Sequence, residues 1–87
     1  MFNSEEALNS CKEVLAQRRE HYKDINPFAE KVAKLWSTIL GTQVTSEQFL
    51  CCMVALKIVR TQSSNGEEKK DSIVDTIGYA ALLVDLD

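Results

Sequence analysis

Residues 45–61, Thr-Ser-Glu-Gln-Phe-Leu-Cys-Cys-Met-Val-Ala-Leu-Lys-Ile-Val-Arg-Thr, decide the fold. Phe49 to Val59 is apolar at every position but Lys57, and Val and Ile are frequent enough to suit a strand. The length argues for a helix, since strands usually run to five or six residues. Thr45 and Gln48 have the spacing of a capping box, in which each side chain satisfies the other residue's backbone N–H. A helix apolar on nearly every face belongs in the middle of a bundle or in a subunit interface.

The flanking segments read the same way. Asn3 and Glu6 have capping-box spacing and open a first helix from about Ser4 to Tyr22, with Leu8, Cys11, Leu15 and Arg18 at helical intervals. Asn26 as cap and Pro27 at the first helical position predict a second helix, with Phe28, Val32, Leu35, Trp36 and Ile39 on one face and Gly41 at its end. Residues 62–67, with Asn65-Gly66 at the tip, read as the one clear loop. Glu67 and Glu68 then suit the start of a fourth helix, whose stripe is Ile73, Ile77, Ala80, Ala81 and Val84. Four amphipathic segments with short links predict a single all-α domain over residues 1–87, a four-helix bundle.

Size and charge narrow the function classes. A chain of 87 residues buries only about 60% of the surface its unfolded form exposes, so self-association is expected to extend its core. A net charge of −3 argues against duplex nucleic acid as a partner but leaves room for a small phosphate ligand. No apolar run reaches the roughly 20 residues of a membrane span, and the acidic start does not resemble a signal peptide, so a cytoplasmic location is expected. Three cysteines, with His21 as the sole histidine, suit reduced core thiols better than a zinc site.

A few residues do not look like core. Lys57 and Arg60 stand one turn apart on a greasy helix. They either snorkel to solvent or reach into a pocket to neutralise phosphate. Asp71 and Asp75, four apart, can chelate one Mg²⁺ together with other oxygen ligands; alternatively Asp71 complements the helix N-terminus and Asp75 is surface. Gly78 in mid-helix costs up to about 1 kcal/mol against alanine, and close approach of a helix or ligand would explain it. Arg18, Arg19, His21 and Tyr22 cluster at the end of the first helix, where the dipole favours cations in any case.

Taken in order, Arg18-x-x-x-Tyr22, Phe28, Leu35-Trp36, Leu56-Lys57-x-x-Arg60 and Asp71-x-x-x-Asp75-x-x-Gly78-Tyr79-Ala-Ala-Leu82 resemble a family of small proteins borne by phages and prophages. The resemblance runs from about Arg18 to Leu86. More distantly, that family is similar to the MazG-type all-α nucleotide pyrophosphohydrolases, oligomeric helical hydrolases that cleave nucleoside triphosphates to monophosphate and pyrophosphate. The resemblance implies an oligomeric MazG-like bundle with Asp71 and Asp75 as catalytic metal ligands for Mg²⁺. It departs in one respect: the second and third helices carry no Glu-Glu-x-x-Glu, and Lys57 and Arg60 stand where carboxylates would be wanted.

Three functions follow. The first is a Mg²⁺-dependent nucleotide pyrophosphohydrolase, with Lys57 and Arg60 on the phosphates. The second is a catalytically degenerate module that sequesters a nucleotide or cyclic nucleotide. There Arg18, Lys57 and Arg60 would pair with phosphate, and Tyr22 or Tyr79 would stack on the base. The third is an interaction module that docks a host protein, in the bacterial cytoplasm if the chain is phage-encoded, through the apolar face of the third helix.

Overall fold

The computed structural model describes residues 1–21 and 24–87. Its elements are α1 (Ser4–His21), α2 (Ile25–Leu40), α3 (Ser46–Ser63) and α4 (Gly66–Leu82), closed by a 3₁₀ turn at Leu83–Asp85. There is no strand among the described residues, and the fold is all-α. None of the described helices is long and apolar enough to cross a membrane.

Short-range chemistry sets most helix ends. At α3 the capping box forms in full: Gln48 N–H donates to Thr45 Oγ1 at 3.1 Å, and Thr45 N–H donates to Gln48 Oε1 at 2.9 Å. At α1, Glu6 N–H donates to Asn3 Oδ1 at 2.9 Å. Gly41 ends α2 at φ +70°, where its N–H donates to the Ser37 carbonyl at 3.0 Å. That left-handed geometry has no steric cost for glycine.

Two boundaries differ from the expectation. The cap of α2 is Asp24 rather than Asn26, because Asp24 Oδ1 accepts both the Asn26 N–H at 3.0 Å and the Asn26 side-chain amide at 2.8 Å. Pro27 therefore falls at the third helical position, where a missing N–H is still harmless. The displaced Asn26 ties down the chain end instead: its amide donates to the Asp85 carbonyl at 3.0 Å, and its Oδ1 accepts from Asp87 N–H at 2.9 Å. The polar loop shrinks to Ser64 and Asn65, since α3 continues to Ser63 and α4 starts at Gly66 with φ +60°.

Helices α3 and α4 form the central hairpin, with α1 packed on α4 and α2 on α3. The main core gathers Ala29 and Ala33 of α2 against Phe49 and Leu50 of α3. Trp36 meets Phe49 edge-on at 5.3 Å and 90°, and Phe28 meets it at 6.1 Å. Leu50 is the one large side chain buried completely among the described residues. Ala7 and Cys11 of α1 and Ser72, Val74 and Gly78 of α4 are buried as well, and Gly78 meets Cys11 where α1 packs on α4.

The expected apolar stripes are buried only in part. On α2 Ala29 and Ala33 are buried and Val32 and Trp36 pack against that core, while Phe28, Leu35 and Ile39 are exposed. Leu8 of α1 is exposed, as are Ala80 and Ala81 of α4 and Val84 of the turn. On α2 the small residues make the closest approach, and Phe28, Leu35 and Ile39 stay outside. Nor are the cysteines all core thiols: Cys11 is buried, but Cys51 and Cys52 are exposed.

Gly78 faces α1, where a Cβ added to it would lie 3.7 Å from Cys11 Sγ, an ordinary van der Waals contact. Among the described residues no close approach demands glycine there. Gly78→Ala is therefore expected to stabilise the protein by about 0.5–1 kcal/mol through helix propensity. Thermal denaturation followed by circular dichroism checks this; a lowered Tm would mean that α1 sits closer in solution than this spacing allows.

Candidate functional site

The chemistry-bearing residues converge where α1 ends, α2 begins and α4 ends. Asp75 projects from α4 toward both neighbouring helices. Its Oδ2 lies 3.0 Å from Lys57 Nζ of α3, and its Oδ1 lies 3.6 Å from Arg18 Nη2 of α1. Lys57 is mostly buried, with 16% of its side chain exposed, and Asp75 is 23% exposed. The cluster is sheltered, and each carboxylate oxygen faces a cation.

Arg18 does a second thing. Its guanidinium carbon sits 5.5 Å from the centre of the Tyr79 ring, one turn along α4 from Asp75. At this distance the ring quadrupole attracts the cation and holds the guanidinium in place. Cys11 lies beside the same cluster, and burial pushes its thiol pKa up, with Arg18 pulling down and Asp75 pushing up more weakly. A raised, buried thiol is a poor nucleophile, so Cys11 is packing rather than chemistry.

Beside Arg18 and Tyr79 opens a groove of about 510 Å³, lined by Leu15, Arg18, Arg19, Asp24, Ile25, Phe28, Tyr79, Leu82 and Asp85. Its volume falls in the range of small-molecule sites, about 300–1,000 Å³. The walls are aliphatic and aromatic and the rim is charged. Arg19 reaches Asp85 Oδ2 at 3.8 Å, but both side chains are well exposed, so this pair is weak and open to exchange. Hydrogen bonds from Asn26, backbone first and then side chain, hold the Asp24 carboxyl below the usual carboxylate range. Asp24 therefore remains an anion on that rim, opposite in sign to the two arginines.

The expected residues thus divide. Arg18 and Tyr79 come together and line the groove. Asp75 and Lys57 pair with each other next to it, behind Arg18, and do not line it. Arg60 and Asp71 are exposed and make no ion pair among the described residues. The Tyr22 assignment lies outside the described residues. Arg19 and Phe28 were visible in the sequence as a basic cluster and a spaced aromatic. Asp24 and Asp85 carry no sequence signal, because only the meeting of α2 with the chain end brings them to one rim.

The Mg²⁺ site expected at Asp71 and Asp75 can be tested on this geometry. Two cations occupy the two oxygens of Asp75, and a divalent ion would have to displace both. Among the described residues no three His, Cys, Asp or Glu side chains gather as a metal would require. These residues do not fit Mg²⁺.

No curated protein and no solved structure matches the chain. One family does, described as a domain of unknown function, DUF6378, and it matches residues 6–87. Matched over nearly its whole length, the chain belongs to the DUF6378 family.

Proposed function

We propose that this chain is a phage-type, MazG-like helical module that binds a nucleotide without hydrolysing it, a sequestering protein rather than a pyrophosphohydrolase. The observation that carries the reading is the groove beside Arg18 and Tyr79, an apolar slot about the size of a mononucleotide with guanidinium groups at its edge. A base would enter between the aliphatic walls and the aromatic rings of Phe28 and Tyr79. Its phosphate would take the exposed donors of Arg19 and those of Arg18 that Asp75 leaves free.

The placement of Asp75 favours binding over catalysis. A carboxylate with a cation on each oxygen positions Arg18 and Lys57 but offers little to a metal ion. Lys57 thereby acts through Asp75 on the orientation of Arg18, rather than on phosphate directly. Arg60, exposed on α3, lies outside the groove lining and is not needed in this reading.

Isothermal titration with nucleoside mono- and triphosphates and cyclic nucleotides, each with Mg²⁺ and with a chelator, tests it. Saturable binding that survives chelation is expected. Arg18→Ala should weaken it at least about tenfold, the cost of one charge-assisted contact, and Tyr79→Ala by a similar factor. Turnover of a triphosphate in Mg²⁺ that is abolished by Asp75→Asn would replace this reading with the hydrolase. No heat with any nucleotide would leave the groove without this ligand class.

A further inference from the structure

The described surface is too large for a finished molecule. A compact monomer of 9.8 kDa exposes about 5,200 Å². This chain exposes 6359 Å², roughly 1,200 Å² more than that relation gives. Its radius of gyration is 13.9 Å, against about 12 Å for a compact 87-residue domain.

Exposed apolar side chains lie on both α2 and α3, and those of α3 run from Cys51 to Val59. Cys51, Cys52, Ala55, Leu56, Ile58 and Val59 are all exposed there, with Leu56 at 48% and Val59 at 60%. Cys52, Leu56 and Val59 recur at helical spacing, so they share one face. The one charge between Gln48 and Arg60 is Lys57, and its side chain is turned inward to Asp75. The outward face of that stretch is therefore uncharged.

We propose that a second copy of this chain covers that face, α3 against α3 across a two-fold axis. Two copies, each with a net charge of −3, meet on an uncharged face without like charges opposing. The other apolar stripe, Phe28, Leu35, Ile39 and Leu40 on α2, has exposed Lys31 one turn before Leu35 on the same face and Lys34 beside it, and suits a closed, dry contact less well. The surplus area matches the scale required, since a stable interface buries about 800 Å² on each partner. This pairing is independent of the nucleotide reading, because the groove lies at the far ends of α1 and α4 and takes no residue from α3.

Sedimentation velocity over a concentration series of the full chain is the test. The expected species has twice the 9.8 kDa chain mass at micromolar concentration. Leu56→Glu should weaken the dimer by about a hundredfold or more by burying an unpaired carboxylate at the contact, with helix content retained. Leu8→Glu, at an exposed site on α1, should leave the dimer intact. Should Leu56→Glu not fold, the wild type supplies a second readout. Alkylation of Cys52, followed by mass spectrometry, should slow as the protein is concentrated through the dimer Kd. A wild type that stays monomeric, a Leu56→Glu dimer as tight as wild type, or a Cys52 rate independent of concentration overturns the proposal. The first of these would leave the α3 face to a partner of different sequence.

Discussion

Leu50→Ala is expected to remove about 3–5 kcal/mol of stability, the range for deleting a leucine side chain from a site that cannot collapse around the void. Leu50 has no exposed surface and sits among Ala29, Ala33 and Phe49, where the two alanines have no longer side chains with which to fill the space. The whole chain, at about 0.05–0.15 kcal/mol per residue, has roughly 4–13 kcal/mol to lose. The variant should therefore be largely unfolded at body temperature, or show a Tm lowered by some 15 °C or more. Urea and thermal denaturation at one fixed protein concentration measure it, since self-association would otherwise shift the midpoint. A loss under about 1 kcal/mol would mean that the centre of the bundle is not organised around Leu50.

The second large effect concerns Asp75. Asp75→Ala leaves Lys57, mostly buried, without its 3.0 Å partner, and frees Arg18 from its 3.6 Å contact. Removing one member of a fully buried pair costs about 3–5 kcal/mol, and the partial exposure of both groups brings the expectation to about 1–3 kcal/mol. The double substitution Lys57→Met with Asp75→Leu should recover most of that loss, because it removes the charges together. The same double variant should bind nucleotide more weakly, since Arg18 would keep Tyr79 but lose the carboxylate that sets its orientation. Denaturation together with titration of the same variants separates the two roles. If Asp75→Ala proved as stable as wild type, the three-helix charge cluster would be only a surface contact. If the double variant bound nucleotide normally, Asp75 would have no part in positioning Arg18.

The division between what could be read early and what could not follows the range of the interactions. Four helices, the capping box at Thr45 and Gln48, the cap at Asn3 and the stop at Gly41 rest on contacts between residues about three or four apart, so the sequence by itself determined them. The same holds for the all-α class, since helical periodicity is a local property. The misplaced start of α2 shows the limit of such reading. Asp24 and Asn26 are both good caps; Asp24 takes the cap, and Asn26 bonds to it and to the chain end at Asp85 and Asp87, some sixty residues away, a contact no local reading supplies.

Which face each helix buries was decided only by tertiary structure. The bulky stripe of α2 through Phe28, Leu35 and Ile39 signals amphipathicity but not its target, and within the chain the close contact went to Ala29 and Ala33. Asp71 and Asp75 look equivalent at i and i+4, yet Asp75 alone meets cations, one from α3 and one from α1. Arg18, Tyr79, Asp24 and Asp85 line one groove although they come from four elements or their edges. Spacing along a helix says which side chains share a face. Only the packing of one helix on another says what that face meets, because the partners are distant in sequence and are chosen by the fit of whole surfaces.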